Sequence, residues 1–162
     1  MSEKEMFLQT WNREFQTTVK VLKAYPADKL DFRPHARSRS AAELAWVFVG
    51  EQAVVDMTVK GHLDMSGEMP PPPATMPEIL AAFEKMHNEN VGKVKNLSEA
   101  EYNSTVKFPI GPNQLGDFRR ADVLWITVMD QVHHRGQFSV YLRMAGGKVP
   151  SIYGPTADET WG

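Results

Sequence analysis

Four stretches of the chain repeat apolar residues every three or four positions, with prolines or glycines at most of their ends. Residues four apart on an α-helix differ by only about 40° around the axis, so this spacing gathers apolar side chains on one face. Leu8, Trp11, Phe15, Thr18 and Leu22 mark a first helix from about Glu3 to Ala24, stopped at Pro26. Ser38 or Ser40 caps a second, with Glu43 completing a capping box on Ser40, and Gly61 ends it. Thr75, Pro77 and Glu78 open a third, whose face carries Leu80, Phe83, His87 and Val94. Asp117 is expected to cap a long fourth helix that stops at Gly146–Gly147. Amphipathic helices joined by linkers of unequal length can cover their apolar faces only against one another. The expected fold is therefore all-α, a four-helix bundle with a long crossover, in one domain over residues 1–162.

The linkers are less regular. "MSGEMPPPPATMP" contains four consecutive prolines and reads as a stiff spacer between helices. From Leu97 to Gly116 the signals are mixed, with a short extended piece at Thr105–Phe108 followed by turns. The tail after Gly147 is loop-like, but Ile152, Tyr153 and Trp161 predict that it packs on the bundle.

Composition narrows the functional classes. A formal charge of −2 shows no basic excess, which argues against a nucleic-acid partner. Without cysteine, the chain has no disulfide framework, no thiolate metal ligand and no thiol nucleophile of its own. The N-terminus mixes charges with its apolar residues, so neither a signal peptide nor a membrane span is expected, and the expected location is cytoplasmic.

Candidate chemistry lies in "ITVMDQVHHRGQFSVYLRMAGG". Helical spacing puts Val123, Ile126, Thr127, Asp130, His134, Gln137, Tyr141 and Met144 on one face, and the apolar ends predict that this face points inward. On the second helix, Leu44, Val47, Glu51, Val54 and Thr58 form a matching stripe with Glu51 as its only charge. A carboxylate inside an apolar stripe is costly unless it is paired or metal-bound. Glu51, Asp130 and His134 are thus candidate ligands for Zn²⁺, Ni²⁺, Fe²⁺ or Mn²⁺. The rival account is a metal-free hydrogen-bonded network, with His134 against Asp130 and Glu51 bonded to Gln137, Tyr141 or Thr58. Thr127 is a further wall group, and His133, about 100° round the helix, suits a helix contact or hydrogen bond. Arg135 is read as projecting outward, to anchor the tail or a dimer. His35 is read as structural and His87 as a core-edge residue or extra pocket group. Trp125, Val128 and Val132, with Gly136 and Ser139, form a second apolar face that either supports a homodimer or is covered by loops.

Two segments carry a resemblance. "DQVHHRGQFSVYLRMAGGKVPSIYGPTADE" resembles the C-terminal signature of the DinB-like (DinB/YfiT) proteins, and "LDFRPHARSRSAAELAWVFVGEQ" resembles their approach to the second helix. The resemblance implies a bundle of up-down-down-up order, often dimeric, with a divalent metal on three histidines. It maps the last of those histidines onto His134, the first of the fourth-helix pair onto Asp130, and the second-helix one onto Val47, which cannot ligate. Glu51, one turn past Val47, replaces it by geometry alone. The implied activity is that of a metalloenzyme on a small-molecule substrate, of the thiol-transferase type with a low-molecular-weight thiol as cosubstrate. The alternative is a non-catalytic, dimeric stress-associated or small-ligand-binding bundle with a degenerate metal site.

Overall fold

Reciprocal caps start the first three long helices. In the computed structural model, which describes residues 1–64, 67–112 and 114–161, Ser2, Ser40 and Thr75 each accept a backbone N–H from a glutamate three residues on, and each glutamate reaches back to the cap. The helices are α1 (Glu3–Lys23), α2 (Ala41–Lys60), α3 (Met76–Asn96), the short α4 (Glu99–Tyr102) and α5 (Arg120–Met144). Gly61 ends α2 at φ 80°, a left-handed conformation that suits glycine, and donates to the carbonyls of Met57 and Thr58.

Contacts along the helices give their directions. Glu3 meets Arg119 and Glu14 meets Arg135, so α1 and α5 run parallel. Lys4 bonds the Leu97 carbonyl while Asn12 meets His87, so α1 and α3 are antiparallel. Asn90 reaches Gln52 and Lys93 reaches Asp56, which makes α2 and α3 parallel. Tyr141 bonds the carbonyl of Arg39 near the start of α2, so α2 and α5 are antiparallel. The order is up-down-down-up, as expected, with the long fourth helix of the sequence reading being α5.

The segment before α5 contains the expected extended piece at Thr105–Phe108 and more regular structure than expected around it. It holds α4 and an antiparallel hairpin of β1 (Thr105–Gly111) and β2 (Gln114–Arg119), pairing Thr105 with Arg119 and Phe108 with Gly116. Asp117 lies within β2, paired to Lys107 at 2.7 Å, and caps nothing. The chain passes straight from β2 into α5 with no side-chain cap, and Arg119 instead ties the junction to Glu3 and Asp122.

Two apolar clusters fill the bundle. One gathers Phe15, Leu22, Phe48, Phe83, Phe138 and Leu142, and the other Phe7, Trp11, Val55, Val94, Leu124 and Val128. Each such side chain contributes roughly 1.5–3 kcal/mol on burial. Between the clusters every long helix inserts buried polar residues: Glu14, Glu51 and Gln52, His87 and Asn90, Gln131 and Arg135. His87 stacks on Phe15 at 3.7 Å and meets Asn12, and burial lowers its pKa to about 4. It belongs to the core rather than its edge.

This polar waist corrects the reading of α5. Val123, Thr127 and Tyr141 of the expected inward face are buried, but the helix is rotated so that Leu124, Val128, Gln131, Arg135, Phe138 and Leu142 are buried as well, while Ile126, Met129, Gln137 and Met144 are exposed. Arg135 points inward because Glu14 is there to receive it. Its guanidinium donates to the Glu14 carboxylate at 2.7 Å and to the Tyr153 hydroxyl, while Tyr153 donates to Glu14 at 2.6 Å. Arg135 therefore does anchor the tail. Ile152 packs on the core, but Trp161 is 72% exposed and does not. The second apolar face is covered at one end, where Val128 lies in the core and Trp125 packs edge-on against Phe7, while Gly136 further along is exposed.

The connection between α2 and α3 crosses back over α2. Trp46 donates its indole N–H to the Pro70 carbonyl at 2.7 Å, and a Cβ on Gly50 would stand 2.9 Å from the Met69 sulfur. Met65 and Ser66 of this connection lie outside the described residues.

Candidate metal centre

The rotation of α5 leaves Asp130, His134 and Gln137 on the edge facing α2. There Glu51 arrives from the waist, only 5% exposed, while Asp130 remains exposed and His134 partly buried. One potential ligand atom from each of the three lies within 4.8 Å of the others. The Nε2 of His134 stands 3.5 Å from an Asp130 oxygen and 3.9 Å from Glu51 Oε1. Both separations exceed hydrogen-bond range. Donor atoms held 2.0–2.2 Å from one ion at a tetrahedral angle stand about 3.4 Å apart. The His134–Asp130 pair matches that spacing and Glu51 stands somewhat wider, so the three groups could hold a metal ion after a small inward shift of the glutamate.

Two further observations bear on that fit. Neither oxygen of Glu51 has a hydrogen-bond partner of good geometry. Burial, and then the neighbouring Asp130, push its pKa up to about 9, with Gln131 opposing weakly. A neutral acid is one way to relieve such a buried charge, and a divalent ion is the other. The His134 ring is also oriented, with Nδ1 3.1 Å from the Gln137 side-chain oxygen, whose amide nitrogen in turn meets His133 Nε2 at 3.0 Å. An oxygen at Nδ1 fixes the proton on that nitrogen and leaves Nε2 to face the carboxylates.

Of the other residues singled out in the sequence, Val47 borders a cleft of about 460 Å³ that also exposes Glu51 and Asp130. Gln137 and Tyr141 border a neighbouring cleft. Thr58 and Thr127 instead return their hydroxyls to the carbonyls of Val54 and Val123 on their own helices. Of the metal-free network, His134 does stand against Asp130 at 3.5 Å, but Glu51 bonds none of Gln137, Tyr141 or Thr58. Sequence reasoning missed Arg39, which lines both clefts, and Glu14, the partner of Arg135. Glu14 was findable, because it falls three residues after Trp11 and four before Thr18 on the first stripe.

Comparison with known proteins agrees with this architecture. Residues 10–138 match the DinB superfamily. The uncharacterized protein YrdA of Bacillus subtilis (strain 168) is 25% identical over 154 residues, covering 94% of this chain and 89% of its own. The crystal structure of a DinB-like protein from Bacillus cereus ATCC 10987 superposes with a TM-score of 0.78 at 23% identity, covering 92% of this chain and 97% of that one. The DinB-like protein YjoA from Bacillus subtilis gives 0.71 at 15% identity, over 91% and 97%. At these identities the two structures establish the shared fold.

Proposed function

The chain belongs to the DinB superfamily, and from that premise we propose that it is a divalent-metal enzyme acting on a small molecule, with Glu51, Asp130 and His134 as the protein ligands. The observation that carries this is Glu51: a carboxyl group withdrawn from water, without a hydrogen-bond partner of good geometry, and opposite the Nε2 of an oriented imidazole. A bound ion would supply Lewis acidity, lowering the pKa of a small-molecule thiol or of water. One nitrogen and two oxygens suit Zn²⁺, Ni²⁺, Fe²⁺ or Mn²⁺, and form a harder set than three imidazoles. Within this reading the chain's own residues divide the work. Gln137 holds the His134 ring, Glu51 gives up its proton when the site fills, and Val47, Val54 and Met57 provide an apolar wall.

The family resemblance supports the finer reading of a transferase with a low-molecular-weight thiol as cosubstrate. Residues 1–162 are taken as one DinB-like domain, and a cytoplasmic setting is part of the proposal. No described helix is long and apolar enough to cross a membrane. Should the protein self-associate, the exposed Ile126, Met129, Val140 and Met144 of α5 are the face we assign to a homodimer. Sedimentation velocity on Met129→Glu would then show monomer where the parent shows dimer.

The test of the main reading is metal analysis of protein purified without an affinity tag. About one equivalent is expected in the parent, falling to background in Glu51→Ala and His134→Ala. Equal content in all three would refute the assignment. A second reading, a non-catalytic bundle with a decayed site, has Val47 in its favour, an aliphatic at the position the resemblance gives to a histidine. Thermal melting after EDTA and then with excess Zn²⁺, Ni²⁺ or Mn²⁺ separates the two. A ligand at a hundred times its Kd adds about 2.7 kcal/mol to stability, whereas no shift with any metal favours the second reading.

A further inference from the structure

Arg39 borders three adjoining clefts along α2 and α5. One is the cleft of about 460 Å³ that reaches Glu51 and Asp130, one contains Gln137 and Tyr141, and the third lies under the proline segment beside Trp46. Its backbone is held in place, because the Tyr141 hydroxyl donates to its carbonyl at 3.0 Å. The neighbouring Arg33 is engaged with Glu43, but Arg37 and Arg39 have no ion pair among the described residues. The first amides of α2 are already taken, Ala41 by the Phe32 carbonyl, Ala42 by Leu30 and Glu43 by the Ser40 hydroxyl. Any anion at this end would therefore be met by arginine side chains and not by the helix terminus.

Charge is graded along the cleft that reaches Glu51 and Asp130. Arg39 stands at its α2 N-terminal end, Val47 and Gly50 come next along α2, and Ala53, Val54 and Met57 lie past Glu51. Glu51 and Asp130 line the same cleft, and Asp64 and Glu68 on the crossing connection add negative charge there. Arg39 lies two positions before α2 and Glu51 is ten positions into it from Ala41, about 15 Å of helix at 1.5 Å per residue. A cation belongs beside the carboxylates and an anion beside the arginine, with Val47 between them. Set before the start of that helical length, the arginine is placed as an anchor.

We propose that Arg39 is the specificity-determining anchor of this cleft, holding the carboxylate or phosphate of an elongated small organic anion whose other end faces Glu51, Asp130 and His134. The inference builds on the small-molecule reading above, but the anchor is independent of whether a metal binds. A planar guanidinium offers a forked pair of donors to either kind of oxyanion.

Calorimetric titration with hexanoate, monohexyl phosphate and neutral hexanol tests it, on protein in EDTA and separately with Zn²⁺. One or both anions should bind saturably in EDTA, about tenfold more tightly than hexanol, and the tighter of the two identifies the headgroup. Arg39→Gln should abolish the advantage of the anions and leave hexanol unchanged, and Arg39→Lys should restore part of it. Arg39 is exposed, so an unchanged melting temperature checks that the variants fold. Equal binding of anion and alcohol, equal anion binding by parent and Arg39→Gln, or no saturable binding at all would overturn the proposal. Loss of Zn²⁺ binding with Arg39-dependent anion binding intact would sink the metal reading and leave the anchor standing.

Discussion

Glu14 and Glu51 occupy the same polar waist and are almost equally buried, at 3% and 5% exposure, yet their surroundings are opposite. Burial alone would raise the pKa of Glu14, but hydrogen bonds from Tyr153 and Arg135 outweigh it and hold the carboxyl below its ordinary value. Glu51 has no such partners, and its pKa rises to about 9. The α1–α5 side of the waist is closed by an arginine and a tail tyrosine. The α2–α5 side opens onto a cleft with its carboxylate still unanswered. Burial of charge alone therefore does not mark a site. Burial without a protein partner, beside an oriented imidazole, does.

The largest expected effect breaks the closed side. Arg135→Met strands Glu14 in the interior, and urea unfolding should show a loss of about 3–5 kcal/mol. Tyr153→Phe removes one hydrogen bond from the same cluster and should cost about 1–2 kcal/mol. Glu51→Gln, measured in EDTA, should be neutral or stabilising, because an amide replaces a buried acid whose ionisation no protein group compensates. A loss from Glu51→Gln comparable to that from Arg135→Met would erase the contrast.

A smaller effect sharpens the contrast through pH. Glu51 keeps its proton in the folded state up to about 9 but releases it near 4.5 when unfolded. Between those values the folded state binds more protons, so stability in EDTA should fall as pH rises from about 4.5 to about 9. Glu14 works in the other direction. Its depressed pKa gives stability that is present above its ordinary value of 4.5 and lost as pH falls through the folded value. Chemical denaturation across pH should show the alkaline decline flattened by Glu51→Gln and the acid decline retained. An unaltered alkaline decline in that variant would mean that Glu51 is not its source.

Much of this was legible in the chain. The caps at Ser40 and Thr75, the stop at Gly61 and the stripe through Phe83 and His87 are local signals, and the structure contains each of them. The orientation of α5 was not legible in the same way. Its apolar residues fall on several sides, and the inward face is decided by Arg135 finding Glu14 more than a hundred positions away. The hairpin was obscured for a related reason, since "QLGDFR" alternates poorly and β2 is held by pairing with β1. The Glu51–Asp130–His134 grouping survived the error in rotation because it depends on axial height and proximity, and an edge position facing α2 meets both. Arg39 carried no periodic signal and became visible only when the clefts were in view.

The parallel pairing of α2 and α3 has a geometric consequence. Two neighbours that point the same way oblige the chain to travel back one helix length, about 30 Å for twenty residues. The fifteen residues from Gly61 to Thr75 could stretch to about 50 Å, so they have roughly 20 Å more reach than the return trip requires. That surplus is what drapes Met69 and Pro70 across α2, and a longer or shorter drape would alter the mouth's width while leaving the packed interior untouched. Changes of length in this return strand are where related bundles can adjust the size of molecule they admit without refolding.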